Sequence, residues 1–90
     1  MQAPHEQIKK RLNIAKGQLE GIIRMVDEDR YCIDISNQLM AVSQALRGIN
    51  RDVLSNHLHS CVLDSLNSHD EEDMTLKMDE ITRVIEKLSK

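Results

Sequence analysis

The stretch CIDISNQLMAVSQALRGINRDVLSNHLHSCVLDSL, residues 32–66, decides the fold of this 90-residue chain. It contains no proline and one glycine, and no cluster of turn residues appears before NSHDEED at 67–73. A helix of about 35 residues is far longer than the usual globular helix of roughly 11–12 residues. Its apolar side chains recur at helical spacing: Ile35, Leu39, Val42, Leu46, Ile49, Val53, Leu58 and Val62. Because such a helix needs apolar partners along its whole length, we predict that the chain associates with copies of itself.

Two shorter helices flank this stretch. We predict a first helix from about Pro4 to about Asp27, because proline suits the first turn and apolar residues recur every three or four positions. A third helix is predicted from about Asp70 to Leu88, with Asp70 as its N-cap. The chain has one aromatic residue, one proline and three glycines. This composition favours an all-α fold with three helices per chain over a β-sheet.

The net charge is −3, from 12 Lys and Arg against 15 Asp and Glu. Residues 1–24 carry five basic and two acidic side chains, whereas residues 62–90 carry eight acidic and four basic ones. The N-terminal part of the chain is therefore basic and the C-terminal part is acidic. No apolar run approaches the ~18 residues of a membrane span, and the polar N-terminus predicts no signal peptide. We expect one cytoplasmic domain over residues 1–90, with cysteines that are thiols or metal ligands rather than disulfides.

His57 and Cys61 are candidate metal ligands. They lie four residues apart in the predicted second helix, so they share one face and form a bidentate pair. Cys32 precedes His57 by 25 residues, which is roughly 37 Å along a continuous helix at about 1.5 Å per residue. One chain therefore cannot bring all three together. In two antiparallel copies related by a twofold axis near Ala45 and Leu46, Cys32 of one chain faces the His57–Cys61 pair of the other. Small residues near the twofold axis would let two backbones approach: Ala41, Ser43, Ala45 and Gly48.

The ligand set indicates which metal would bind. Two thiolates and one imidazole form a soft three-ligand set that suits Cu(I), whereas zinc usually takes a fourth ligand. Cysteine is also often a small buried hydrophobic residue, so a plain helical dimer without metal is an alternative.

Four motifs together resemble the CsoR family, small all-helical bacterial repressors named for a copper-sensitive operon. They are RLNIAKGQLEGI at 11–22, YCIDI at 31–35, QLMAVSQAL at 38–46 and HLHSC at 57–61. The resemblance implies an antiparallel four-helix-bundle dimer that assembles into a disc-shaped homotetramer. It also implies a Cu(I) site between subunits, with Cys32, His57 and Cys61 as the metal ligands.

The resemblance extends to residues around the metal. Tyr31 matches a tyrosine beside the metal site, and Glu80 matches a glutamate that hydrogen-bonds the imidazole nitrogen not on the metal. An ordinary solvated carboxylate is the alternative for Glu80. Nickel- or cobalt-sensing members use a further N-terminal histidine, and His5 is out of register with it. Persulfide sensors replace the histidine that is His57 here, and formaldehyde sensors lack the second cysteine, so the pattern favours copper.

A DNA-binding surface is expected on the polar side of the first helix. Copies of its basic patch would add in a tetramer and give a salt-dependent affinity for DNA phosphates. Arg11 and Gln18 match family positions implicated in DNA contact, although many relatives carry Arg where this chain has Ile14. No segment of the sequence matches a recognition helix or a zinc finger. Preference for a particular DNA sequence would therefore come from a few polar side chains or from DNA shape. The predicted DNA-binding residues on the first helix are Lys9, Lys10, Arg11, Lys16 and Gln18, and Arg47 and Arg51 on the second helix extend the surface.

The sequence thus predicts a copper(I)-responsive transcriptional repressor with double-stranded operator DNA as its partner and no enzymatic activity. The metal-free form would bind the operator, and Cu(I) would release it and derepress copper-resistance genes. Besides the plain helical dimer without metal, two alternatives stay open. One is a persulfide- or thiol-redox-sensing repressor that uses Cys32 and Cys61, and the other is a copper buffer that does not bind DNA. No paired carboxylates, Ser–His–Asp set or phosphate loop points to catalysis.

Overall fold

A computed structural model describes residues 1–68 and 71–88. It contains three helices in chain order: α1 at His5–Asp27, α2 at Cys32–Ser68 and α3 at Glu71–Leu88. Since these residues include no β-strand, the predicted all-α fold with three helices per chain is confirmed. Asp70, the predicted N-cap of the third helix, lies outside the described residues. None of the described helices combines the length and the apolar character that a membrane crossing requires.

The end of α1 is closed by backbone hydrogen bonds. The φ angle of Asp29 is 54°, in the left-handed region that Asp adopts more readily than most residues. The N–H of Arg30 donates to the carbonyl of Met25 at 2.9 Å, and the N–H of Asp29 donates to Val26 at 3.0 Å. This pattern satisfies two of the last carbonyls of α1 and stops the helix. The chain then enters α2 after only a few residues.

The chain forms two compact units, and the boundary between them falls between Val53 and Leu54 in α2. The first unit contains Ala3–Val53 together with Met1, and the second contains the remaining part of α2 together with α3 and Gln2. In the first unit, α1 and α2 form an antiparallel helical hairpin, because the early residues of α1 pack against the late residues of this part of α2. A single domain over residues 1–90 stays a prediction.

The core of the first unit is a narrow seam. Ile8, Ala15 and Ile22 recur every seventh residue on α1 and are 6, 3 and 7% exposed. Seven residues are close to two helical turns, so these side chains lie on one line along the helix. On α2, Val42 and Ile49 are 3 and 5% exposed. The seam holds the two helices of the hairpin together.

The apolar residues predicted to recur along one stripe of α1 are Ile8, Leu12, Ala15, Leu19, Ile22 and Val26, and half of them lie outside this seam. Leu12, Leu19 and Val26 are 45, 43 and 59% exposed. On α2, Leu39 and Leu46 are likewise 48 and 41% exposed. A pair of helices buries only the line along which the two helices touch, so a wide apolar stripe leaves an uncovered edge.

Replacing Ile49 with Ala is expected to lower the free energy of unfolding by about 2–5 kcal/mol. The reason is that Ile49 packs with Ala3 and Ile8 in the buried cluster. Urea denaturation followed by circular dichroism measures the loss. The control is Ile14→Ala, the same change at a side chain that is 55% exposed, which is expected to cost no more than about 0.5 kcal/mol. Equal losses in the two variants would contradict the assigned core.

Candidate metal centre and nucleic-acid interface

His57 and Cys61 lie one turn apart in the part of α2 that belongs to the second unit, and their side chains meet. The Sγ atom of Cys61 is 3.4 Å from Nε2 of His57 and 3.8 Å from Nδ1. Cys61 is a half-buried free thiol, and the His57 side chain is 42% exposed. The four-residue spacing therefore brings the two predicted ligands into contact.

Glu80 of α3 contacts the imidazole of His57 at its Nε2 atom. Its Oε1 atom lies 3.2 Å from Nε2 of His57, and the Glu80 side chain is 48% exposed. A neutral imidazole has one N–H donor and one nitrogen lone pair. When Nε2–H donates to Glu80, the lone pair is on Nδ1. The contact expected for Glu80 from the resemblance is thus present in the structure.

The His57–Cys61 pair fits a single thiophilic metal ion. For metal–sulfur and metal–nitrogen bonds of about 2.3 and 2.0 Å and an angle of about 110–120°, the two ligand atoms stand roughly 3.5–3.8 Å apart. The distance between Sγ and Nδ1 is 3.8 Å, and Nδ1 is the nitrogen that the Glu80 contact leaves with a lone pair. Sγ of Cys61 and Nδ1 of His57 could therefore hold one ion with little movement.

Cys32 lies away from this pair along the chain. It is an exposed free thiol and the first residue of α2, in the first unit. Within residues 1–68 and 71–88 of one chain, no group of three or more His, Cys, Asp or Glu side chains is placed to hold a metal. Tyr31 is 67% exposed, and its carbonyl accepts a hydrogen bond from the N–H of Ile35 at 3.2 Å. The roles predicted for Cys32 and Tyr31 at a metal stay predictions.

All seven predicted DNA-binding residues lie in the first unit. Arg11 and Gln18 line one depression together with Ile14, and Lys9 and Lys10 line another that also includes Ile14. An apolar side chain that is 55% exposed therefore stands among the basic and polar ones on α1. Three more members of the set are exposed: Lys16, Arg47 and Arg51.

Arg11 forms an ion pair that sequence reasoning missed. Its Nη1 atom contacts Oδ2 of Asp52 on α2, and the two side chains are 38 and 54% exposed. Nη2 of Arg11 lies against Gly48, where an added Cβ atom would be 3.4 Å from it. Gly48, expected to help two α2 helices approach, thus lies beside an arginine of its own chain. The paired residues are 41 positions apart and on different helices, so no local spacing indicates their contact.

Residues 4–87 match the family described as metal-sensitive transcriptional repressor. The chain belongs to this family. CsoR of Bacillus subtilis (strain 168), a copper-sensing transcriptional repressor, is 39% identical to it over 85 residues. The aligned segment covers 94% of this chain and 81% of that protein. The resemblance to CsoR is therefore confirmed at the level of the metal-sensitive repressor family.

Two solved structures share the fold of this metal-sensitive repressor. The copper-sensing repressor CsoR with Cu(I) from Geobacillus thermodenitrificans NG80-2 matches with a TM-score of 0.81 and 35% identity, over 94% of this chain and 85% of that chain. The nickel-responsive transcriptional regulator InrS matches with a TM-score of 0.79 and 25% identity, over 92% of this chain and 94% of that chain. The aligned segment spans 55% of the length of the copper-sensing repressor RicR from Mycobacterium tuberculosis (strain ATCC 25618 / H37Rv).

Proposed function

We propose that this protein is a copper(I)-responsive transcriptional repressor. In this proposal the metal-free protein binds double-stranded operator DNA, and Cu(I) bound between two chains releases it and derepresses copper-resistance genes. The contact of His57 with both Cys61 and Glu80 carries the proposal, because it places a thiol and a ring nitrogen at a distance that one metal ion can span. The protein would act in the cytoplasm and would have no enzymatic activity.

The donor atoms favour Cu(I) over other metals. A set of two thiolates and one imidazole is soft, and Cu(I) accepts three ligands, whereas zinc usually takes four. The fold alone does not select the metal, since a nickel-responsive regulator shares it. The copper-sensing relative from Bacillus subtilis, at 39% identity over 94% of this chain, supports the same choice.

Two chains are needed for the complete ligand set. Cys32 is the first residue of α2, and the 25 residues from it to His57 would span roughly 37 Å as a continuous helix. Two antiparallel copies of α2 would bring Cys32 of one chain to His57 and Cys61 of the other. The twofold symmetry of such a dimer gives two equivalent sites.

The apolar surface of the first unit supports self-association. Leu39 and Leu46 on α2 and Leu19 on α1 are between 41 and 48% exposed, and the three line one depression. Ala41 and Ala45 on the same helix are exposed as well. A second copy of the hairpin would cover these side chains, and the antiparallel four-helix-bundle dimer could pair again into a tetramer.

The two ligands of the repressor are linked thermodynamically. If Cu(I) lowers the affinity for operator DNA by some factor, DNA must lower the affinity for Cu(I) by the same factor. Cu(I) at the intersubunit site would join residues of two chains, and the His57–Glu80 contact would pass the change to α3. The Cu(I)-bound assembly would then present its basic α1 residues to DNA differently from the metal-free assembly.

The decisive experiment is a titration of the reduced protein bound to labelled DNA from upstream of its own gene. A competing chelator sets the free Cu(I), and parallel titrations use Ni(II), Zn(II) and a persulfide donor. Release by Cu(I) alone, at about one ion per chain, supports the proposal. Release by the persulfide donor alone would make Cys32 and Cys61 a redox pair. If the protein never bound that DNA, a copper buffer would be the better account.

Replacing Cys32 with Ala is expected to leave DNA binding intact and to abolish release by Cu(I). The substitution removes one of the three proposed ligands without touching the basic residues of α1. Fluorescence anisotropy of the labelled operator measures both effects. Ser36→Ala, one turn further along α2, is the matched control and should respond to Cu(I) as the wild type does. Wild-type release of the Cys32→Ala protein would remove Cys32 from the site.

Replacing Glu80 with Gln is expected to weaken Cu(I) binding by about 10–100-fold, the usual effect of losing a partner that orients a metal-bound histidine. The amide keeps the shape of the side chain but removes the charge that faces Nε2 of His57. Competition with a Cu(I) chelator measures the affinity. Glu86→Gln makes the same change elsewhere on α3 and should have no effect. Identical affinities for both variants would mean that Glu80 is an ordinary solvated carboxylate.

Replacing Ile14 with Arg is expected to strengthen DNA binding by the metal-free protein. The side chain is exposed among Lys9, Lys10, Arg11 and Gln18, so a guanidinium there would add a phosphate contact. Each added contact steepens the dependence of log affinity on log salt by about 0.9. Leu76→Arg, on α3 outside the predicted surface, controls for the added charge. An unchanged salt slope for Ile14→Arg would place the DNA elsewhere.

A further inference from the structure

We propose that Asp52 sets the DNA affinity of this repressor by competing with DNA phosphates for Arg11. The inference rests on DNA binding by α1, as proposed above, and assigns a role to a residue outside the predicted surface. Asp52 contacts Nη1 of Arg11, and Arg11 lines the same depression as Gln18 and Ile14. The carboxylate therefore belongs to the immediate surroundings of the proposed DNA contact.

Both terminal nitrogens of Arg11 lie against α2. Nη1 contacts the Asp52 carboxylate, and Nη2 lies against the backbone at Gly48. A Cβ atom added at Gly48 would be 3.4 Å from Nη2, which is close to ordinary van der Waals contact, so the guanidinium lies beside this turn of α2. A guanidinium binds phosphate best through two parallel N–H bonds. To bind DNA in this way, Arg11 must turn away from Asp52 or share its donors.

The carboxylate also acts directly on the DNA. The Asp52 side chain is 54% exposed, so a phosphate that reached Arg11 would meet a negative charge beside it. Charges closer than the Debye length of about 8 Å at physiological salt are only partly screened. Competition and repulsion therefore act in the same direction, and both lower the affinity for DNA.

Asp52→Asn tests the proposal, with Glu28→Gln as its matched control. Glu28 pairs with Arg30 at 3.7 Å through side chains that are 62 and 54% exposed, and Arg30 is not in the predicted DNA surface. Each substitution neutralises one carboxylate of an exposed ion pair and changes the net charge from −3 to −2. The two variants thus differ in which arginine is released.

The readout is the affinity of the metal-free protein for operator DNA and for a scrambled duplex at several salt concentrations. Asp52→Asn should bind both about two- to fivefold more tightly for each chain that engages DNA, with a salt slope steeper by up to about 0.9 per chain. The changes in DNA affinity and in salt slope for Glu28→Gln should each be less than half of those for Asp52→Asn. In an Arg11→Gln background, Asp52→Asn should keep less than half of its gain in affinity, because the arginine that it releases is gone and only the repulsion of the phosphate by Asp52 is removed.

Three outcomes would overturn the proposal. Asp52→Asn could bind DNA no more tightly than Glu28→Gln does. It could bind DNA more weakly than the wild type, because Asp52 orients Arg11 for the contact. Its gain could also survive undiminished in the Arg11→Gln background. Thermal unfolding confirms that each variant is folded at the assay temperature, and Asp52→Ser replaces Asp52→Asn if it is not. If the wild type prefers the operator no more than the scrambled duplex, the proposed function fails, and the scrambled duplex alone then decides the role of Asp52.

Discussion

The unbroken course of α2 from Cys32 to Ser68 is the constraint on which the candidate metal centre depends. Side chains extend only a few ångströms, whereas each residue of an α-helix adds about 1.5 Å along its axis. A thiol separated from a histidine by 25 residues of continuous helix would not reach the same ion within one chain. In the proposed function, a site that uses Cys32 would therefore be shared between chains. Its occupancy would then depend on how the chains assemble, and a bound ion could in this way alter a surface that it does not touch.

His57 is the residue through which a metal would reach α3. One imidazole carries two nitrogens with fixed directions, so the bond made by one constrains the partner of the other. Here Nε2 faces Glu80 while Nδ1 and Sγ of Cys61 stand 3.8 Å apart. Fixing Nδ1 on an ion would fix the ring and with it the direction of the Nε2–H bond. Glu80 is the part of α3 that would respond, because its carboxylate must follow the ring or lose the contact.

Sequence reasoning predicted the parts of this protein that depend on local spacing. Helical periodicity gave the three helices, and the four-residue separation placed His57 against Cys61. Glu80 could be connected with His57 only through the resemblance to CsoR, because its contact depends on how α3 returns along the second unit. The burial of the α1 stripe was predicted only in part: Ile8 lies in the seam, but Leu19 is 43% exposed, since one partner helix covers one line of side chains. The Arg11–Asp52 pair depends on the register of α1 against α2, which no local pattern reports.

The electrostatic balance of the chain is the reason that one carboxylate beside one arginine would matter in the proposed function. With a net charge of −3, the protein would gain little general attraction for DNA, so in the proposed function its affinity would depend on a few basic side chains on one surface. An exposed ion pair contributes only about 0.2–1 kcal/mol, which is a minor term for a monomer. In an assembly in which several chains engage one operator, each chain contributes the same factor, and the factors multiply. Two engaged chains would turn a two- to fivefold effect into about four- to 25-fold. By lowering the DNA affinity, the Arg11–Asp52 pair would help a repressor that is released by a single ligand. A moderate further loss of affinity on metal binding would then be enough to clear the operator.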